Sequence, residues 1–160
     1  MKAPATCRKS SSSALCKAPT AGDRHANHHR FQGAGRRFEL KGSVAGIRVI
    51  DDYGHHPTEI SVTLEAARRY AGDGRVIALF QPHRYSRTQA FLENFARELD
   101  KADHAILLEI YAASEKPIPG ISSELIAEKM KHGEFIPNYL EAAEAIISDA
   151  RPGDVILTLG

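Results

Sequence analysis

The chain has 160 residues, 42% of them hydrophobic and 26% charged. That is enough for one domain with a real core and too few for two large ones. No apolar run reaches the roughly 18 residues of a membrane helix, which excludes a spanning helix. The net charge is +1, but residues 1–30 hold six bases and one acid, net +5, so the other 130 residues carry −4. A mildly acidic body argues against a nucleic-acid-binding domain, which needs bases on the fold to neutralise phosphates.

Residues 1–30 contain no Ile, Val, Phe, Tyr or Trp, and Leu15 is their only large aliphatic residue. Such a segment cannot bury enough apolar surface to offset its ordering entropy and reads as disordered. A Ser- and base-rich transit peptide is the alternative, although no clear amphipathic helix is visible. An apolar stretch of secretory type is missing. Both cysteines, Cys7 and Cys16, fall in this segment. The body is therefore no disulfide scaffold, and a reducing cytoplasm is the expected compartment. Cys7, Cys16, His25, His28 and His29 match no standard zinc spacing.

From Phe31 the pattern changes. Phe38–Leu40 and Gly46–Ile50 read as short strands joined by Gly42-Ser43. Pro57 suits a first helical position and Gly72 a C-terminal cap, with Ile60, Leu64, Ala67 and Tyr70 at helical spacing between them. Arg75–Phe80 is a continuous apolar run, as for a strand buried on both faces. Thr88–Leu99 repeats the helical pattern through Phe91, Leu92, Phe95 and Leu99. His104–Ile110 is a second buried strand. Ser122 or Ser123 can cap a helix to about Lys131, Pro137-Asn138 precedes a helix over Leu140–Ser148, and Asp154–Leu159 is a last buried strand. Alternating strands and helices predict an α/β fold, Rossmann-like, with a mainly parallel sheet and helices on both faces.

In such a sheet, ligands bind beyond the carboxyl ends of the strands. Three loops there are dense in polar groups: Asp51–Pro57, Gln81–Thr88 and Tyr111–Pro117. In the first, an Asp at a strand end suits a ribose. The plainer alternative is that His56 and the acids cap the next helix. Metal binding by His55 and His56 is disfavoured, since adjacent side chains diverge and no third ligand is evident. In the second loop, His83, Arg84 and Arg87 gather at a helix start, where arginine forks and the helix terminus favour a phosphate or an amino-acid carboxylate. The plainer alternative is solvated charge pairing with Glu93 or Asp51. Arg36-Arg37 could also reach a phosphate. The chain has no G-x-x-x-x-G-K-[ST], G-x-G-x-x-G or G-x-S-x-G element, so it reads as half of a site.

The segments Phe31–Glu39 (FQGAGRRFE), Asp51–Glu59 (DDYGHHPTE) and Phe80–Thr88 (FQPHRYSRT) resemble the C-terminal domain of the Mur ligases. The resemblance covers about residues 31–160, including Tyr111–Gly120 and the closing Asp154–Gly160. The FQPHRYSRT block points to the members that join L-alanine to UDP-N-acetylmuramate in peptidoglycan synthesis. The muropeptide-recycling ligases are similar at D-D-x-x-H-H-P-T and are not expected to carry that block. The resemblance implies a cytoplasmic, three-domain enzyme whose first domain binds the UDP-sugar and whose second binds ATP and Mg²⁺. The third closes over the site and delivers the amino acid. It implies Arg37 at the ATP phosphates and Asp52 at the ribose. Tyr53, His55, His83, Arg84 and Arg87 would line the alanine side. It implies metal ligands outside this chain, and a Gly-rich turn and final helix beyond Gly160, so the chain reads as truncated there. No ligase activity is expected of the chain alone. A non-catalytic nucleotide or amino-acid binding module, or an inactive remnant, are the alternatives.

Overall fold

The computed structural model describes residues 35–160. The expectations for residues 1–30, disorder included, lie outside the described residues. Six strands form one sheet in the order β1-β2-β6-β3-β4-β5. β1 (Glu39–Val44) is antiparallel to β2 (Ile47–Asp52). All other neighbours, β2 with β6 (Val155–Leu159), β6 with β3 (Val76–Phe80), β3 with β4 (His104–Leu107) and β4 with β5 (Gly133–Phe135), are parallel. This is the mainly parallel α/β sheet expected from the alternation of strands and helices.

The hairpin departs from expectation. Its turn is Ala45-Gly46, with φ of +52° and +81°, the left-handed pair of a type I′ loop, whose backbone matches the twist of the strands. Gly42 lies inside β1, where the register shifts between Leu40 and Gly42. A glycine within a strand often marks such an irregularity rather than a turn.

Helix α1 (Pro57–Ala71) begins and ends as its punctuation indicates. The His56 imidazole accepts from the Thr58 N–H at 3.3 Å. Glu59 returns the bond by accepting from the His56 N–H at 3.1 Å, a capping box with histidine in the cap role. Ile60, Leu64 and Ala67 are buried as expected. Tyr70 is 41% exposed; it packs edge-on against Phe38 and lies under the Arg48 guanidinium.

Helix α2 (Tyr85–Leu99) starts one turn earlier than expected and is kinked at Phe91. Helix α3 is a single turn, Glu124–Ala127. The residues after it make turn-type bonds, such as Met130 N–H to the Ala127 carbonyl, and lead into β5, a strand too short to show any period. β4 ends at Leu107, level with the end of β3 at Phe80, although Leu108 and Ile110 remain buried. Helix α4 (Tyr139–Asp149) is capped by Asn138, whose side chain accepts from the Leu140 N–H at 2.8 Å.

Helices α1, α2 and α3 cover one sheet face around Phe80, Phe95, Leu99, Ile126 and Leu157. Helix α4 covers part of the other through Ala142 and Ile146 on Ile77 and Ile106. Phe80 and Phe95 meet at 5.2 Å in the larger core. Phe95→Ala is expected to cost about 3–5 kcal/mol, and Ala45→Gly to gain about 1 kcal/mol by relieving the left-handed backbone. Urea unfolding measures both; loss of stability in the glycine variant would reject the turn assignment.

Candidate functional site

The parallel pairing of β2, β6 and β3 brings Asp52, Leu159 and Phe80 level at one edge. The loops that leave there carry the candidate side chains. A glycine follows β6. Gly160 has φ +124°, and a Cβ at that position would lie 2.5 Å from the Gln81 carbonyl oxygen. The close approach of two loops therefore requires the missing side chain.

Two hollows open at this edge. The first, about 260 Å³, is lined by Arg36, Tyr53, Gln81, His83, Tyr111 and Gly160. Rings run along it from loop to loop. Tyr53 meets His55 at 5.1 Å, His55 meets His83 at 6.2 Å, and His83 stacks on Tyr111 at 5.4 Å. The two far loops are laced by backbone bonds, Arg84 N–H to the Tyr111 carbonyl and Tyr111 N–H to the Pro82 carbonyl, both 2.8 Å. The His55 Nδ1 lies 3.0 Å from the Tyr53 carbonyl oxygen. A carbonyl can only accept, so this bond puts the proton on Nδ1.

Arg36 closes one end of the row. Its backbone is left-handed, φ +64°, and its guanidinium lies 5.2 Å from the Tyr53 ring centre. Its Nε donates to Asp51 Oδ2 at 3.0 Å and its Nη2 to the Gly160 carbonyl at 2.6 Å. Burial works to raise the Asp51 carboxyl, but hydrogen bonds from Arg36 and Thr158 outweigh it and hold the group below the usual carboxylate range. Asp51 is thus spoken for by Arg36 and is unavailable to the second loop.

The second hollow, about 360 Å³, is lined by Arg37, Phe38, Asp52, Thr58, Glu59, Val62 and Thr63. Asp52 Oδ2 accepts from the Phe38 N–H at 2.7 Å, and Oδ1 accepts from the Gly54 N–H at 2.8 Å and the Thr63 hydroxyl at 3.2 Å. A carboxylate offers about four lone-pair sites, so the three internal bonds leave one free. Arg37 makes no ion pair among the described residues. Arg37 and Asp52 therefore share one hollow, and Tyr53 and His83 line the other.

The cations of the second loop are handled differently from one another. Arg84 is half-exposed and faces Glu115 at 3.9 Å. Glu115 also takes the Ser86 N–H at 3.0 Å and the Ser86 hydroxyl at 2.7 Å. Those bonds, the backbone one first, hold the Glu115 carboxyl below its ordinary range. Arg87 has no carboxylate partner among the described residues; its Nη1 makes a long 3.5 Å contact with His83 Nδ1. Glu93 pairs with Lys129 instead, so neither Glu93 nor Asp51 neutralises this loop. The capping alternative holds for His56, which is committed to α1 and whose ring meets Phe91 at 4.8 Å. Among the described residues no three His, Cys, Asp or Glu side chains gather around a common point. The described residues therefore offer no carboxylate or imidazole cluster of the kind that would hold a Mg²⁺ ion.

Gln81, Tyr111 and Glu115 belong to the site and carry no role in the sequence reading, since they act through contacts between distant loops. Arg36, expected with Arg37 as a basic pair within reach of a phosphate, is instead paired with Asp51.

Burial first, then the charges of Arg87, Arg84 and His55, push the His83 imidazole below its ordinary pKa. The folded state thus favours neutral His83. The stability this contributes is present above the ordinary imidazole pKa and is lost as pH falls toward the depressed value. His83→Gln is expected to flatten the loss of unfolding free energy below about pH 6.5. Urea unfolding at stepped pH checks it, and an unchanged slope would count against it.

The domain family described as "Mur ligase, glutamate ligase domain" matches residues 36–160, so the chain belongs to the Mur ligase C-terminal domain family. A UDP-N-acetylmuramate–L-alanine ligase from Paenarthrobacter aurescens is 52% identical over 130 residues, 81% of this chain and 28% of that protein. The chain thus spans under a third of such curated relatives. The solved UDP-N-acetylmuramate-alanine ligase of Thermotoga maritima is 29% identical with a TM-score of 0.64, over 81% of this chain and 27% of that one. A murein peptide ligase from Psychrobacter arcticus is 26% identical with a TM-score of 0.66, over 82% and 28%. No helix among the described residues is long and apolar enough to cross a membrane.

Proposed function

We propose that residues 31–160 form the C-terminal domain of a cytoplasmic, ATP-dependent ligase that joins L-alanine to UDP-N-acetylmuramate. In this reading the domain completes an ATP site and an amino-acid site when it closes on domains this chain does not contain. Arg37 would meet the ATP phosphates and Asp52 the ribose, with the one lone pair its three internal bonds leave. Tyr53, His55, His83, Arg84 and Arg87 would line the alanine side. Mg²⁺ would be held outside this chain and would offset phosphate charge there.

The observation that carries the reading is the division of the strand-end groups between two neighbouring hollows. One holds a carboxylate with a spare acceptor beside an arginine. The other is walled by rings and flanked by an arginine that has no carboxylate partner among the described residues. A nucleotide and a small amino acid need such a pair. The chemistry is carbon–nitrogen bond formation, in which the amine of alanine attacks the activated muramoyl carboxylate. The residues here would hold the amino acid, align its amine and exclude water on closure. Their contribution would be positioning, since this reading assigns no nucleophile or phosphate cradle to the described residues.

The purified chain alone is expected to release no phosphate with ATP, UDP-N-acetylmuramate and L-alanine. Joined to the remainder of the Paenarthrobacter aurescens relative in place of its matching segment, it is expected to restore phosphate release. Arg87→Ala there should raise the alanine KM about tenfold to a hundredfold with less effect on the ATP KM. Unchanged alanine kinetics would refute the amino-acid role. Alanine binding without turnover in the joined protein would favour a binding module.

A further inference from the structure

Arg84 opens α2 with a backbone φ of +74° and provides no side-chain cap. The capping is done from another loop. Glu115 accepts from the Ser86 N–H and hydroxyl at 3.0 and 2.7 Å. It thereby lies against the first turn of α2, where partial positive charge favours a carboxylate. The loop that presents it is bent through Ala113 and Ser114, both non-glycine residues at positive φ. Such backbone persists only where surrounding contacts fix it. An internal carboxylate thus occupies the position that the charge of the helix start would otherwise offer to a ligand. It is also, among the described residues, the acid that faces Arg84, at 3.9 Å. Arg87, one turn along, has no carboxylate partner among the described residues and makes a long 3.5 Å contact with His83.

We infer that Glu115 is a specificity-determining residue, whose resident carboxylate takes up Arg84 and the first turn of α2 and leaves Arg87 to hold one substrate carboxylate. The site then accepts amino acids with a single acid group and disfavours those with a second. A second carboxylate would have to displace Glu115 or lie against it uncompensated, and like charges in one site repel. This rests on the amino-acid reading of the His83–Arg87 loop given above.

The test is a titration of the joined protein described above with L-alanine and with L-aspartate, followed through the backbone amide resonances of His83, Arg84 and Arg87. The wild type is expected to prefer L-alanine. Glu115→Gln frees Arg84 and should tighten L-aspartate about tenfold relative to L-alanine, the effect of one charge-assisted hydrogen bond. Adding Arg84→Ala to that variant should return the preference toward that of the wild type. Arg84→Ala alone leaves Glu115 uncompensated and should shift the preference further toward L-alanine. It serves where the Gln variant does not fold. A purely structural role for Glu115 would weaken both amino acids together. That result, or a preference within about threefold of wild type in the folded variants, overturns the inference while leaving the alanine reading in place. No L-alanine shift at these residues in any folded variant, up to the solubility limit, overturns the alanine reading and the inference with it.

Discussion

Strand β6 pairs with β2 from Arg48↔Val155 to Asp52↔Leu159 and with β3 from Val76↔Val155 to Phe80↔Leu159. The same five residues thus serve as the ruler for both neighbours. Because all three run parallel, their carboxyl ends finish level, and the loops that carry Tyr53, His55, His83, Arg84 and Arg87 start from one line. Asp154 secures the opposite end: it accepts from the Arg75 backbone and side chain and from the Arg151 N–H. That buried carboxylate sets where β6 begins and thereby where Gly160 meets Gln81.

From that line the loops are tied to one another as much as to the sheet. Asp52 holds the start of β1, the Gly54 turn and α1 with one carboxylate. Asp51, its neighbour on the opposite face, holds Arg36 against Tyr53. The alternation of side chains along a strand thus sends adjacent acids into different networks. The two hollows are products of the same strand end, kept apart by its pleat.

Much of this architecture is legible in the amino-acid sequence where an element carries its own punctuation. Pro57 and Gly72 bracket α1, and the apolar run before Gln81 declares a buried strand. What escapes is what depends on partners far along the chain. The first turn of α2 is capped by Glu115, 29 residues away, so nothing local marks it. β5 exists only as a partner for β4. The hairpin turn is misread because Gly42-Ser43 has the composition of a turn, whereas Ala45 accepts left-handed backbone that an alanine seldom adopts. At the site, the strand-end rule finds Asp52, Tyr53, His55, His83, Arg84 and Arg87 as a group. It does not separate Arg84, engaged by Glu115, from Arg87, which is not. That difference lies in a contact between loops, and composition carries no trace of it.

The break in α2 at Phe91 divides the helix by occupation. The turns before it present Arg84 and Arg87 and answer to Glu115 and Tyr111. The turns after it bury Phe95 and Leu99 in the core. A straight rod would transmit any repacking at its buried end to the ligand-facing end. A jointed one insulates the two. The core half is then free to drift in sequence, trading one apolar side chain for another, while the arginines keep their aim.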